Sequence, residues 1–247
     1  MNSRRLGRSL GIDLVPRKVC SFNCVFCQVG STTDLVLERG EYVQFDEVIA
    51  ELDHWLEEGG TADYATLAGS GEPTLHSRFG DVIVAVRERC DARPVVLSNG
   101  SLFHLPGVRE AAGRADIVKA SLSAWDQASF EKVNRPHVGL VFDELVSGLR
   151  RLREEFDGEL WIEVVAVGGL NDSAEAMKRI AALADGVNAD RIHLNTVVHP
   201  PADDRALAVP SAKLREFAQL FKPVAEVLGM RRDEDKEQIV GSRPLRQ

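Results

Sequence analysis

The stretch Cys20-Ser-Phe-Asn-Cys24-Val-Phe-Cys27 carries three cysteines, separated by three and then by two residues. Thiolates are soft ligands that proteins gather in sequence chiefly to hold a metal centre. A tetrahedral zinc site or a fully protein-ligated iron-sulfur cluster takes four ligands, and the next cysteine, Cys90, lies 63 residues further on. The spacing therefore predicts an iron-sulfur cluster that has one iron without a protein ligand.

Three simpler interpretations of the triplet stay open: a structural zinc site, a disulfide, or unrelated buried thiols. No Cys-x2-Cys or His-x3-His pair follows to complete a zinc site. A disulfide would leave one of the three cysteines over, and four cysteines in 247 residues do not make a secreted disulfide scaffold. Cys90 ends an apolar helical run and is predicted to be an ordinary half-buried thiol.

The Cys-x3-Cys-x2-Cys spacing resembles the signature of the radical S-adenosylmethionine (radical SAM) enzymes. The resemblance implies one 4Fe-4S cluster held by Cys20, Cys24 and Cys27, whose open iron chelates the amino and carboxylate groups of S-adenosylmethionine. It also implies reductive cleavage of that cofactor to a 5′-deoxyadenosyl radical, which abstracts hydrogen from a substrate. An external low-potential electron donor, flavodoxin or ferredoxin, is implied as a partner, and Phe26 is implied to offer backbone to the adenine.

Strands alternate with amphipathic helices along the chain, a pattern typical of parallel βα units. The six candidate strands are Leu10-Leu14, Tyr64-Ala68, Pro94-Ser98, Ile117-Ser123, Leu160-Val167 and Arg191-Asn195. Six units are too few to close an eight-stranded barrel, so we expect an α/β fold, a partial (βα)6 TIM-like barrel. Radical SAM enzymes have this fold, and chemistry in such folds gathers at the carboxyl ends of the strands.

The whole chain, 1–247, is expected to form a single radical SAM core domain. We expect a basic N-terminal arm over about residues 1–9 and a short charged tail over about 230–247. The last helix is predicted from Ser211 to Gly229, with a kink at Pro223 and with Val224 facing inward.

Composition favours an intracellular enzyme. There is no apolar stretch of about 18 residues and no signal-peptide core after Met1, so we expect a cytoplasmic protein without a membrane anchor. The net charge of −8 disfavours a general phosphate-binding surface. The first twenty residues nevertheless carry five basic side chains against one acidic side chain, and they form either a solvated tail or a local phosphate site.

The segment Gly69-Ser70-Gly71-Glu72-Pro73 directly follows the second predicted strand. Glycines there let the backbone approach a ligand, and a carboxylate accepts from an ammonium group. The segment resembles the radical SAM "GGE" motif with Ser70 in place of the middle glycine, which implies that Gly71 and Glu72 bind the methionine amino group. The alternative is a β-turn before a helix. Ser98, in Ser98-Asn99-Gly100 after the third strand, matches a common family strand end, and the alternative for this segment too is a turn.

Side chains on the fourth strand are expected to alternate between the two faces of the sheet. Lys119, Ser121 and Ser123 then face the lumen of the barrel, and the family resemblance implies that the two serines hold the ribose and carboxylate of the cofactor. Lys119 lies deeper in the barrel. Either it binds a substrate carboxylate or phosphate or forms an imine with substrate, or it pairs with Glu163 on the fifth strand.

The ends of the fifth and sixth strands supply the remaining candidates. Asn171 is a candidate cofactor contact by resemblance, and Asp172 is the preferred N-cap of the following helix. On the sixth strand His193 and Asn195 approach the mouth of the barrel and are candidate substrate contacts, although a lone strand histidine is more often simply hydrogen-bonded.

Three segments of the chain resemble the group of radical SAM proteins related to wyosine synthetase (tRNA imidazoG37 synthetase-like). They are Gly71-Glu-Pro-Thr-Leu-His76, Asn134-Arg135-Pro136 and the run from Ser3 to Asp13 before the cysteines. That resemblance implies tRNA or nucleoside modification. The chain has no cysteine before Cys20, which argues against wyosine synthesis itself. Two alternatives stay open: an activase that generates a glycyl radical on a partner protein, and a non-catalytic iron-sulfur protein. Whether the enzyme is an oxidoreductase, a lyase or a transferase stays open too.

Overall fold

A computed structural model describes residues 2, 3 and 7–228 of the chain, and its strands alternate with helices. The strands are β1 (Asn2–Ser3), β2 (Gly7–Ile12), β3 (Val19–Cys20), β4 (Asp34–Leu35), β5 (Tyr64–Leu67), β6 (Arg93–Ser98), β7 (Ile117–Ser121), β8 (Glu159–Ala166), β9 (Arg191–Thr196) and β10 (Glu226–Val227). The helices are α1 (Phe45–Glu57), α2 (Phe79–Arg89), α3 (Pro106–Ala112), α4 (Gln127–Val133), α5 (Phe142–Glu155), α6 (Ala174–Val187) and α7 (Ser211–Ala218), with a 3-10 turn at Pro73–Leu75.

The main sheet has the order β1-β2-β5-β6-β7-β8-β9-β10. Its last seven strands run parallel, and only the short β1 is antiparallel to its neighbour. All six predicted strands are confirmed, with ends shifted by up to three residues. Within the described residues no ladder joins β2 to β10, so the sheet curves into an open half-barrel and the predicted α/β partial barrel is confirmed.

The two faces of the sheet bury different kinds of side chains. Val118, Ala120 and Leu122 pack outward into the main core beneath the helices, as alternation on the fourth strand predicts. The lumen is closed in its lower half by a separate cluster of Val95, Ile117 and Trp161. Polar side chains lie above that plug, so the open space of the barrel faces the carboxyl ends of the strands.

The predicted last helix is wrong beyond its first two turns. Helix α7 ends at Ala218, and Gln219 forms its C-cap. The backbone before a proline avoids the helical region, which removes Lys222 from any continuation into Pro223. The chain instead adds β10 beside β9, and Val224 is exposed, not inward. The apolar spacing of this segment imitated a helix because its residues return to the core from turns and a two-residue strand.

The described part of the expected basic arm lies in the sheet. Gly7 to Ser9 belong to β2, and Asn2 and Ser3 form β1, which pairs with Arg8 and Gly7. Arg8 forms an ion pair with Asp63 at 2.9 Å, at the amino edge of the sheet. Arg4, Arg5 and the tail 230–247 lie outside the described residues. Among the residues described, no helix is long and apolar enough to cross a membrane.

Candidate metal centre and cofactor pocket

The cysteine loop, residues 13–36, begins directly after β2, at the carboxyl edge of the sheet. Cys20 ends β3, where its carbonyl accepts from Val36 N at 3.0 Å, and Cys27 N donates to Cys24 O at 3.1 Å. All four cysteines are free and partly exposed, so no disulfide forms among them. Cys90 stands apart at the C-cap of α2, where its thiol donates to Val86 O at 3.5 Å.

The loop is held in place by the segment that follows α4. Asn23 N donates to the carbonyls of Asn134 and Arg135 at 3.1 and 3.0 Å, and Val25 N donates to Val133 O at 3.0 Å. Beneath the loop the rings of Phe22 and Phe130 meet edge to face at 5.2 Å between centroids. These contacts fix the loop from outside its own sequence, which local pattern alone does not reveal.

Each of the three thiols receives a hydrogen bond from a different side chain. Lys18 Nζ lies 3.2 Å from Cys27 Sγ, Asn99 Nδ2 lies 3.6 Å from Cys20 Sγ, and Asn134 Nδ2 lies 3.5 Å from Cys24 Sγ. Lys18 and Asn134 are buried. The sequence analysis counted Lys18 only as one of the five basic side chains of the first twenty residues and treated the two asparagines as parts of motifs, so this role was missed.

Burial dominates the electrostatics of the Cys20 and Cys24 thiols. It raises the pKa of Cys20 to about 11, with a further contribution from the charge of Glu72, and it raises the pKa of Cys24 still further. The charge of Lys18 opposes the rise at both positions. Buried thiols of this kind stay protonated until a metal displaces the protons, so metal binding here is coupled to proton release.

Glu72 is buried beside the cysteine loop as the N-cap of the Pro73–Leu75 turn. Its carboxylate accepts from Thr74 N, Thr74 Oγ1 and Ser98 Oγ through Oε1, and from Asn99 N through Oε2 at 2.6 Å. Burial raises the pKa of Glu72, and these hydrogen bonds oppose the rise. The carboxylate therefore sits in a dry, donor-lined place, where a cationic group of a ligand would be held strongly.

The two glycines before Glu72 are required by close backbone approach. A Cβ on Gly71 would lie 2.0 Å from Val19 O, and a Cβ on Gly69 would lie 2.4 Å from the Asp13 carboxyl carbon. Gly69 also has a φ of 138°, which side chains rarely adopt. Asp13 accepts from Ser70 N at 2.9 Å, so the segment is folded tightly onto the strand that leads to the cysteines.

The other predicted cofactor contacts lie around the same edge. Phe26 packs against Val165 and Val167 at the end of β8, and Ser121 ends β7 partly exposed. The Ser98 hydroxyl donates to Glu72 and accepts from Gly100 N at 3.0 Å. Direct contact of these three side chains with a cofactor stays a prediction.

Ser123 and Asn171 are buried and hold the end of β8. Ser123 Oγ accepts from Val165 N at 2.9 Å. The Asn171 amide accepts from Val167 N at 2.6 Å and donates to the carbonyls of Ser123 and Val165. Both amide hydrogens of Asn171 are thus used within the protein, and its predicted cofactor contact remains untested.

The predicted N-cap of α6 is wrong by one residue. Ser173 is the cap, and its side chain accepts from Ala176 N at 3.1 Å. Asp172 instead accepts from Gly169 N and forms an ion pair with Lys213 at 2.6 Å. Serine and aspartate cap helices about equally well, so the sequence alone did not choose between neighbours.

Lys119 forms the ion pair with Glu163 that was one of its two predicted roles. The atoms Lys119 Nζ and Glu163 Oε2 lie 2.8 Å apart, with the two side chains 5% and 13% exposed. Asn195 Nδ2 approaches the same carboxylate at 3.5 Å. His193 is buried deeper, with its ring edge to face on Trp161 at 5.1 Å between centroids. Substrate contact by Lys119 or His193 stays a prediction.

The donor set fits an iron-sulfur cluster. Among the described residues, no three His, Cys, Asp or Glu side chains converge to hold one metal ion. Cysteine ligands of a cluster bind different irons and therefore stand apart. The amide nitrogen of Asn134 points at Cys24, as the amide of a residue that supports a thiolate ligand would. Its buried Oδ1 has no hydrogen-bond partner.

Comparison with known proteins gives the family. A family model described as the radical SAM superfamily matches residues 14–184. The chain is 34% identical over 220 residues to a Brachyspira hyodysenteriae protein named GTPase Obg, covering 89% of this chain and 32% of that protein. It is 36% identical over 202 residues to a UPF0026 protein of Helicobacter pylori, covering 80% of this chain and 65% of that protein.

A more distant relative is the dual-specificity RNA methyltransferase RlmN 1 of Myxococcus xanthus. It is 24% identical over 189 residues, covering 72% of this chain and 50% of that protein. A solved structure of TYW1 with a lysine-pyruvate adduct bound matches with a TM-score of 0.63 at 16% identity, over 90% of this chain and 76% of that one. At this identity the structural match shows the fold alone. Since the family model covers more than half of the sequence, the chain belongs to the radical SAM superfamily, whose enzymes use an iron-sulfur cluster and S-adenosylmethionine.

Proposed function

We propose that this chain binds a single 4Fe-4S cluster through Cys20, Cys24 and Cys27, and modifies a nucleoside, free or within tRNA. When bound, the cluster supplies the electron that cleaves S-adenosylmethionine to a 5′-deoxyadenosyl radical, which takes hydrogen from the substrate. The observation that carries the proposal is that three thiols, each with its own side-chain N–H donor, lie at the same edge of the sheet as the buried Glu72 carboxylate.

The residues of the chain position the cofactor in this proposal. Glu72 accepts from the methionine ammonium, and Gly71 allows the ligand to reach the backbone beside it. Ser121 orients the ribose, and the backbone at Phe26 orients the adenine. Glu72 is buried, which keeps water away from its carboxylate and strengthens each polar contact there.

Two observations favour a nucleic-acid substrate. The M. xanthus relative is named as an RNA methyltransferase. Basic side chains also stand near the mouth: the exposed Arg17 donates to Val29 O of the cysteine loop at 3.3 Å, and Arg205, 85% exposed and paired with Asp203 at 2.8 Å, lies on the loop after β9. That loop reaches the cysteine loop, because Asp203 N donates to Val25 O at 3.0 Å. The B. hyodysenteriae relative is named a GTPase, but this chain spans 32% of that protein and contains no Gly-Lys pair of a phosphate-binding loop.

The first experiment measures the metal. Anaerobically reconstituted protein should bind about four irons and four sulfides per chain, and replacing any of the three loop cysteines by Ala should abolish the cluster. Cys90→Ala is the matched control and should retain it. A tightly bound zinc without sulfide would contradict the proposal.

The second experiment identifies the substrate. Reduced protein is incubated with S-adenosylmethionine and with fractions of cell RNA, nucleosides or proteins, and 5′-deoxyadenosine is measured. We expect RNA or nucleoside fractions to stimulate its formation, with RNA binding that weakens as salt rises. Stimulation by a protein fraction that acquires a glycyl radical would favour an activase instead. If no fraction stimulates cleavage of the cofactor, the proposed substrate class is refuted.

A further inference from the structure

Lys18 combines three features that are unusual for a lysine. Its side chain is buried, with the residue 5% exposed, although it lies next to the exposed Arg17. Its φ of 67° places it in the left-handed region, which a residue with a Cβ rarely adopts. Its ammonium points at a sulfur, 3.2 Å from Cys27 Sγ.

The backbone around Lys18 holds this conformation from both sides. Lys18 N donates to Ser70 O at 2.8 Å, and Lys18 O accepts from Thr33 N and Asp34 N at 3.2 Å. Strained backbone persists only where its surroundings fix it, and here those surroundings are the glycine-rich segment and the end of the cysteine loop. Two flanking segments therefore hold the backbone that directs this ammonium group at Cys27.

Asn99 and Asn134 complete a set with one side-chain donor for each thiol. The three donors come from different places: Lys18 directly precedes β3, Asn99 directly follows β6, and Asn134 is the C-cap of α4. N–H groups directed at cluster thiolates stabilise the reduced cluster, which carries one more negative charge than the oxidised cluster. Among the three donors only Lys18 adds a full positive charge.

We propose that Lys18, Asn99 and Asn134 form an outer shell, with one side-chain N–H donor for each cysteine ligand, and that Lys18 raises the reduction potential of the cluster. The inference rests on the proposed function, because it requires a cluster on Cys20, Cys24 and Cys27. It assigns Lys18 to the sulfur of Cys27 and not to substrate or to solvent. Its consequence is that a weaker reductant suffices to load the electron.

The test is an EPR-monitored redox titration of reconstituted protein. In Lys18→Met the ratio of reduced to oxidised cluster at a fixed potential should fall at least tenfold, which for a one-electron couple is 59 mV. Asn134→Leu should shift the ratio in the same direction by less, and Lys18→Arg should stay close to wild type. Lys178→Met, which removes an exposed lysine from α6, is the control for net charge and should change the ratio less than twofold.

A second measurement on the wild-type protein does not depend on variants that fold. Protein grown with 15N-labelled lysine should show a 15N coupling to the reduced cluster in pulsed EPR, and the Lys18→Arg protein should lose it. Fully loaded Lys18→Met with unchanged potential would overturn the inference, even if it bound S-adenosylmethionine more weakly. So would wild-type protein without the 15N coupling. If the wild-type protein assembles no cluster, it is the proposed function that fails.

Discussion

At the scale of single residues, Glu72 serves the fold and the proposed ligand with the same carboxylate. Replacing it by Ala would leave four donors facing an apolar group, so the change would confound stability with binding. Glu72→Gln keeps an oxygen for three of these donors. In cluster-loaded protein we expect this change to weaken S-adenosylmethionine binding by about ten- to a hundredfold, the loss of one charge-assisted hydrogen bond. Equilibrium dialysis measures it, and unchanged affinity would exclude the ammonium contact.

The raised pKa of Glu72 also predicts a pH dependence of stability. Its ordinary value is 4.5, and burial raises it in the folded protein. Between pH 4.5 and the pKa of the folded protein, the unfolded chain has lost this proton while the folded protein keeps it. The free energy of unfolding should therefore fall as pH rises over that range. Urea unfolding of the cluster-free protein across this range should show the fall, and Glu72→Gln should lack it. An equal slope in both proteins would assign the effect to other groups.

Lys119 and Glu163 offer a test that separates structure from substrate chemistry. Lys119→Met leaves a mostly buried carboxylate without its cation, and we expect the free energy of unfolding to fall by about 3 kcal/mol. Adding Glu163→Gln should restore at least about 1 kcal/mol. The exposed pair of Arg114 and Asp81, 40% and 47% exposed, is the control, and its loss should cost less than about 1 kcal/mol.

The same Lys119 variant also tests the proposed substrate contact. If Lys119 binds substrate, the stabilised double variant should retain its cluster and the slow cleavage of S-adenosylmethionine, but lose stimulation by substrate. Retained stimulation would leave the ion pair as the whole role of Lys119.

At the scale of elements, the glycine-rich segment after β5 determines how close the cysteine loop can come. In Gly71→Ala the new methyl group would meet Val19 O at 2.0 Å, a backbone atom that cannot turn aside. We expect a destabilised protein that assembles less than a tenth of the wild-type cluster, measured by iron and sulfide content. Gly107→Ala in α3 is the control, because nothing lies within 4 Å of its Cβ, and it should gain about 0.5–1 kcal/mol. A Gly71→Ala protein with a full cluster would show that the segment can shift to accommodate the methyl group.

The elements also show which features the sequence can reveal. The six long strands, the alternation on β7 and the cysteine loop at the carboxyl edge follow from periodicity and spacing, which are local signals. Strands β3, β4 and β10 have two residues each and leave no periodic signal. The role of Lys18 escaped for a different reason. It depends on a left-handed backbone fixed by Ser70 and Thr33, contacts that only the folded chain creates.

At the scale of the whole molecule, the cluster ligands and their donors join distant parts of the chain. Cys24 and Asn134, for example, are in contact although they are 110 residues apart in sequence. A cluster bound among them adds its binding free energy to the stability of the fold. We expect removal of iron by a chelator to lower the melting temperature, and to increase hydrogen exchange around residues 18–36, 99–101 and 134–137. Uniform exchange across the whole sheet would contradict a local effect.

An open barrel also exposes the outermost backbone of its sheet to other molecules. On the described residues β1 and β10 each add only two residues to these rims, beside the longer strands β2 and β9. Outermost strands this short are one way in which proteins discourage pairing with a strand from another copy. The opening beside the site can therefore remain free for a substrate to enter without also serving as a template for aggregation.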